Sequence, residues 1–194
     1  MIKYNGCTFL CNRLNEKERL HILLVGNNMR RFRGEAENKV DNKGRVSIPA
    51  AFRRILEEGD PDWSSGLNPN LVIVYGRRNR KCLEGYSIGS IEIVDNLVSN
   101  LPRYSKEREI LERLLNSQSI YIQLDENGRI ILPLKLRKLV EIQTTAVFVG
   151  MGEKFQIWNP TNYISDMNLI EKNLSENNLE EELYSLLDNV KNQN

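Results

Sequence analysis

Apolar and polar positions follow one pattern twice along this chain. In the first copy Val40, Val46, Ile48, Phe52 and Ile55 are apolar; 84 positions later Leu124, Ile130, Leu132, Leu136 and Leu139 take the same places. The polar residues repeat with them: Asp41 with Asp125, Gly44 with Gly128, Arg45 with Arg129, Pro49 with Pro133 and Arg53 with Arg137. A repeat of this kind marks one supersecondary unit used twice, and two copies are too few for a stacked solenoid. Alternation over Glu35 to Val40 predicts a half-exposed strand. Asp41-Asn42-Lys43-Gly44 predicts a turn, in which the aspartate accepts local backbone N–H groups and the glycine takes a positive φ. Arg45 to Ile48 predicts a second strand. Pro49 then presets φ for the first turn of a short helix. Its apolar stripe is Ala51, Phe52, Ile55 and Leu56, with Arg53 and Arg54 off the stripe.

The same reading extends along the rest of the chain. Residues 60–70 are a loop by composition, Leu71 to Tyr75 a strand, and Gly76 to Lys81 a basic turn into a strand around Cys82 and Leu83. Residues 88–115 read as two helices broken at Pro102, the second with Ile110, Leu111, Leu114 and Leu115 on one face. Strands follow at Tyr121 to Leu124 and Arg129 to Leu132, then a helix from Pro133, then strands at Ala146 to Gly150 and Lys154 to Trp158. The second unit is shorter because it lacks the loop at 60–70. A polar, flexible, asparagine-rich stretch leads to Leu179, Leu183, Leu186, Leu187 and Val190 at helical spacing. The predicted organisation is an extension at 1–28, a first unit at 33–86, a helical connector at 87–117, a second unit at 119–162 and an acidic helical tail at 163–194. The class is α+β, mainly β. A strand-turn-strand-helix unit cannot bury both faces of its sheet alone, so the two units are expected to interleave about a pseudo-twofold axis and close a small barrel.

Composition narrows the class. With 40% hydrophobic and 27% charged residues, the chain reads as a globular protein. Its apolar runs fall well short of the roughly 18 residues that span a bilayer. Cys7, Cys11 and Cys82 are an odd, sparse set that suits a reducing cytoplasm rather than a disulfide scaffold. The net charge of +1 conceals an asymmetry. Arginines and lysines crowd the first unit from Arg30 to Arg54, whereas Glu180, Glu181, Glu182 and Asp188 dominate the tail. A basic module with an acidic tail is one footprint of polyanion binding, and solvated faces of opposite sign are the other reading. Arg45 and Arg129 leave equivalent turns near the pseudo-twofold, where paired guanidinium forks suit a duplex backbone and base edges. The other reading of these two is a surface arginine, or one paired with a carboxylate. Asp41, Gly44, Pro49, Asp125, Gly128 and Pro133 read as architecture.

These residues carry a family resemblance. Phe32-Arg33-Gly34 followed by Asp41-Asn42-Lys43-Gly44-Arg45-Val46-Ser47-Ile48-Pro49-Ala50-Ala51-Phe52-Arg53 resembles the first signature of the MraZ family. Asp125-Glu126-Asn127-Gly128-Arg129-Ile130-Ile131-Leu132-Pro133 resembles the second, and Phe155-Gln156-Ile157-Trp158 the closing strand. The resemblance covers roughly residues 29–165. It implies AbrB-like swapped-hairpin units, and a bacterial, cytoplasmic, nucleoid-associated regulator of transcription. It further implies binding to double-stranded DNA repeats upstream of the regulator's own operon of division and cell-wall genes. It also implies that the chain assembles with itself into a homo-oligomeric ring. No cofactor is expected, and the short apolar runs argue against a membrane. The family's DNA-contact motif falls on Lys43 and Arg45 in the first copy and on Arg129 in the second. Asn127 stands where Lys43 does, so the second turn is expected to grip phosphate more weakly. Family members usually begin near Phe32, so residues 1–28 are expected to be a loose extension, with Met29 as the natural start.

Other classes fit less well. Asp41 and Asp125 could form a carboxylate dyad sharing a proton, yet such dyads need a small or hydroxyl residue beside each aspartate, and Asn42 and Glu126 follow here. The single histidine, His21, lies outside the repeat, so a serine triad has no base within it. Neither a Walker A loop nor a dinucleotide glycine fingerprint occurs. Cys7, Cys11 and His21 give three ligands where structural zinc takes four, so no metal is expected. An antitoxin-like barrel, whose acidic, leucine-bearing tail binds a partner, is compatible with DNA binding.

Overall fold

The computed structural model describes residues 31–76, 81–177 and 179–191. The expectations for residues 1–28, including Cys7, Cys11 and His21, and for the basic turn at 77–80 lie outside the described residues. Eight strands and six helices are described. The first unit comprises β1 (Glu35–Lys39), β2 (Arg45–Ser47), α1 (Ala50–Glu58), β3 (Asn70–Val74) and β4 (Cys82–Ser87). The connector is α2 (Ile88–Ser99) and α3 (Lys106–Leu115), separated at Pro102 as the sequence predicts. The second unit repeats the order with β5 (Ser119–Gln123), β6 (Arg129–Ile131), α4 (Leu134–Leu139), β7 (Thr145–Gly150) and β8 (Lys154–Trp158). The chain ends in α5 (Pro160–Asn177) and α6 (Leu179–Lys191).

The two units interleave. One six-stranded sheet runs β1-β7-β8-β4-β3-β5, and β2 pairs with β6 in a separate two-stranded ribbon. Exchanging the units reverses the sheet order onto itself. β1 of the first unit pairs with β7 of the second, and β5 of the second with β3 of the first, all antiparallel. The pseudo-twofold passes through the Val46↔Ile130 pair of the ribbon and the Glu84↔Gln156 pair of the sheet, because the registers are symmetric about both. Closure differs from the expected barrel: β1 and β5 remain edges of an open sheet. The ribbon is too short to continue either ladder. It closes the core by packing instead, joined to the first strand by a single bridge between Val40 and Val46.

Between sheet and ribbon lies one core. Val40, Val46, Ile48 and Phe52 from the first copy and Leu124, Ile130, Leu132 and Leu136 from the second are all buried in it. Phe32, Phe52 and Phe155 meet there with ring centroids 5.1 to 5.4 Å apart. The apolar match breaks at its last position. Ile55 is buried, but Leu139 is 54% exposed and Val140 takes the core place. The cause is local: α4 stops at Leu139, and Glu141 turns the chain with φ +62°.

The outer face of the sheet is covered in halves. Val72, Val74 and Tyr86 pack against Ile91 of α2, while Val147, Val149 and Trp158 pack against Tyr163 of α5. Where the pseudo-twofold crosses this face, two polar side chains are buried, Glu84 and Gln156. Tyr86 donates its hydroxyl to Glu84, and Trp158 donates its indole N–H to Gln156, so each half uses an aromatic donor two residues on. Tyr163 also donates a hydrogen bond to Glu35. Burial, then that carboxylate, raises the Tyr163 phenol to about 12. The polar stretch expected to be flexible belongs to α5, a regular helix of 18 residues. None of the described helices is long and apolar enough to cross a membrane.

Candidate nucleic-acid interface

The ribbon carries the predicted site. In an antiparallel pair side chains alternate between faces, and here Val46 and Ile130 point into the core, each 1% exposed. Arg45, Ser47, Arg129 and Ile131 therefore share the outer face, all partly or fully exposed. Arg45 lies opposite Ile131 and Arg129 opposite Ser47, which makes the two arginines diagonal neighbours across the pseudo-twofold. Diagonal pairs of this kind sit about 7–8 Å apart.

Each arginine is oriented by its own turn. The Asp41 carboxylate accepts the backbone N–H groups of Lys43 and Arg45 on one oxygen, both at 2.9 Å, and Arg45 Nε on the other at 2.6 Å. Asp125 does the same for Asn127, Arg129 and Arg129 Nε, the last at 2.8 Å. The backbone N–H of Arg45, then its guanidinium, holds the Asp41 carboxyl below the usual carboxylate range. The backbone N–H of Arg129, helped by its side chain, lowers Asp125 in the same way. Both turns therefore carry ionised aspartates at neutral pH. Among the described residues only Nε of each guanidinium is engaged, and the arginine side chains stay 39% and 34% exposed. The fork of Nη groups is left for an outside acceptor. The structure shows the carboxylate-paired reading of these arginines, and the pairing fixes the direction of each guanidinium. Lys43 is exposed at the tip of the first turn, and Asn127 at the tip of the second.

Pro49 and Pro133 are the N-caps of α1 and α4, one residue before the first turn expected to hold them, and their carbonyls accept the first helical hydrogen bonds. The turns are locked by the opposite unit. Ile48 N–H donates to the Gly128 carbonyl and Leu132 N–H to the Gly44 carbonyl. Sequence reasoning missed a second lock. Arg53 lies against Gly128, and Arg137 lies against Gly44 and donates Nε to the Leu132 carbonyl at 3.1 Å. Placed off the apolar stripe of α1 by periodicity, Arg53 is in fact half-buried against the partner turn. The signal available was that arginine recurs at both positions of the repeat.

Gly44 and Gly128 have φ of +84° and +68°, where an L side chain costs about 1–2 kcal/mol. The surroundings separate them. A Cβ on Gly44 would lie 2.5 Å from the Leu132 carbonyl oxygen, whereas one on Gly128 would meet the side chain of Arg53, which can move. Urea midpoints should fall from wild type to Gly128→Ala and further to Gly44→Ala; the reverse order would contradict the cross-unit lock.

Fold and site together define a pseudo-symmetric strand-turn-strand protein that presents paired arginines on a ribbon. The family model described as "MraZ protein, putative antitoxin-like" matches residues 117–189, from just before β5 well into α6. The match thus reaches into the tail, beyond residue 165. The chain is 54% identical over 134 residues to the transcriptional regulator MraZ of Ruegeria pomeroyi, covering 69% of this chain and 80% of that protein. It is 41% identical over 143 residues to the namesake from Cereibacter sphaeroides, covering 70% and 84%. For that of Rhodospirillum rubrum the figures are 38% over 135 residues, 69% and 82%. The chain belongs to the MraZ family, a family of transcriptional regulators and not of enzymes.

Proposed function

We propose that this protein binds double-stranded DNA through the outer face of the β2–β6 ribbon, with Arg45, Lys43 and Arg129 as contacts. The carrying observation is that two arginines, each fixed at Nε by its own aspartate, present their remaining donors on one ribbon face. A two-stranded ribbon fits the major groove, and an arginine fork matches guanine edges or phosphate oxygens. The relatives' name, transcriptional regulator, supports the same reading. The targets are repeats upstream of the protein's own operon of division and cell-wall genes, bound at the nucleoid in the cytoplasm. Several copies join into a ring, so that one assembly grips several repeats. Ring assembly is supported by apolar side chains left exposed on the last two helices, among them Leu169 at 57%, Leu183 at 49% and Leu186 at 54%. A nuclease footprint on the DNA immediately upstream of the gene should show repeated protected sites. Light scattering should give a mass several times 22.5 kDa; a strict monomer removes the ring, and an unprotected upstream region removes the repeats.

A further inference from the structure

We propose that Arg53 is a further DNA-phosphate contact, supplying to the second turn the positive charge that Lys43 gives the first. This rests on reading the ribbon as the DNA-binding face. Asn127 is exposed where the repeat would place a lysine, so the second turn has no cation of its own at its tip. Arg53 fills that place from the other unit. A Cβ built on Gly128 would lie 2.4 Å from Arg53 Nη1 and 2.5 Å from its Cδ, so the side chain lies directly on the second turn.

Its pseudo-symmetric counterpart shows what a purely architectural arginine does here. Arg137 lies on Gly44 and is held by Nε donating to Leu132. Arg53 has no such acceptor. Its Nε is buried without a hydrogen-bond partner, and among the described residues neither a hydrogen bond nor an ion pair holds its guanidinium. Guanidinium cannot shed its charge, and a buried donor without a partner calls for an explanation. The side chain is only half-buried, so part of it reaches the surface beside Arg129's turn. The buried Nε is out of reach of an outside ligand, so a duplex phosphate docked on that turn would be met by the Nη groups of Arg53, which hold no hydrogen bond or ion pair among the described residues. Lys43 and Arg45 would then serve the first turn, and Arg53 and Arg129 the second.

The test uses the full chain and a labelled duplex carrying the DNA immediately upstream of its gene. Arg53→Gln should weaken binding roughly tenfold, the low end for a charge-assisted hydrogen bond. The slope of log affinity against log salt should become shallower by about one. Any fall in thermal midpoint should be small, because the loss of part of the stem that packs on Gly128 is offset by removal of a buried donor that has no acceptor. Adding Asn127→Lys to Arg53→Gln should restore the slope by returning a cation to the same turn. Arg53→Met keeps the stem that packs on Gly128 and should lose the same slope. Unchanged slopes in both Arg53 variants, or no recovery with Asn127→Lys, overturn the proposal. Arg45→Ala is measured alongside: if it too leaves binding intact, the ribbon reading has failed, and if it alone weakens binding, only the assignment of Arg53 has failed.

Discussion

Arg45→Ala is expected to weaken binding to the upstream duplex by roughly ten- to a hundredfold, the range of a lost bidentate contact. The folded state should survive the change. Asp41 would keep the backbone N–H groups of Lys43 and Arg45 on its first oxygen, and the turn would keep its Gly44 N–H to Asp41 carbonyl bond at 2.8 Å. Affinity should therefore fall with little loss in thermal midpoint, and salt dependence should become shallower by about one unit of slope. Arg45→Lys should recover only part of the loss. A lysine lacks the planar fork that lets one edge bind Asp41 while the other faces outward. Arg129→Ala tests the second half of the ribbon. Equal losses at the two positions would mean that both turns grip, despite Asn127. Fluorescence anisotropy at several salt concentrations separates these cases, and wild-type affinity in Arg45→Ala would exclude the ribbon as the contact.

Much of this site was legible because its geometry is local. An aspartate four residues before an arginine, with a glycine between, closes a turn with its own backbone and side chain, and the structure reproduces that turn twice. The internal repeat also carried the pairing of units, since equal strands in equal order must be treated alike. What stayed hidden depends on residues distant in sequence. Arg53 meets Gly128 only because the units interleave, so no periodicity within α1 could show it. Leu139 looked like the counterpart of Ile55, but its burial was decided by where α4 ends. The open sheet edges follow from strands of three residues in the ribbon, too short to continue either ladder. The asparagine-rich stretch ahead of Leu179 read as flexible within a helical tail, but it belongs to a helix whose first turns are anchored by Tyr163 on Glu35 and Trp158.

The buried pair on the pseudo-twofold leads to the largest expected loss of stability. Glu84 and Gln156 occupy equivalent positions, each with an aromatic donor two residues on, yet only one is charged. Lys154 accounts for the difference: its Nζ lies 2.7 Å from Glu84 Oε1, with the Glu84 side chain only 3% exposed. At the position symmetric to Lys154 stands Cys82, and among the described residues the Gln156 Nε2 group has no hydrogen-bond partner. Lys154→Met removes the ammonium from a buried carboxylate. Breaking such a pair from one side costs about 3 kcal/mol or more, and the partial exposure of Lys154 places the expected loss near the bottom of that range. For a chain of this size that lowers the thermal midpoint by roughly 6–12 °C. Glu84→Gln alone should cost much less, because Lys154 can turn its amine towards water. In the double variant Lys154→Met with Glu84→Gln, a neutral amide replaces the charge and matches Gln156 across the axis. Most of the loss should be recovered, giving a favourable coupling of about 2 kcal/mol in a double-mutant cycle. Strictly additive losses would mean that the Glu84 carboxylate is stabilised independently of Lys154. Because the pair sits on the sheet face away from the ribbon, DNA affinity measured well below the midpoint should be the same in all four proteins.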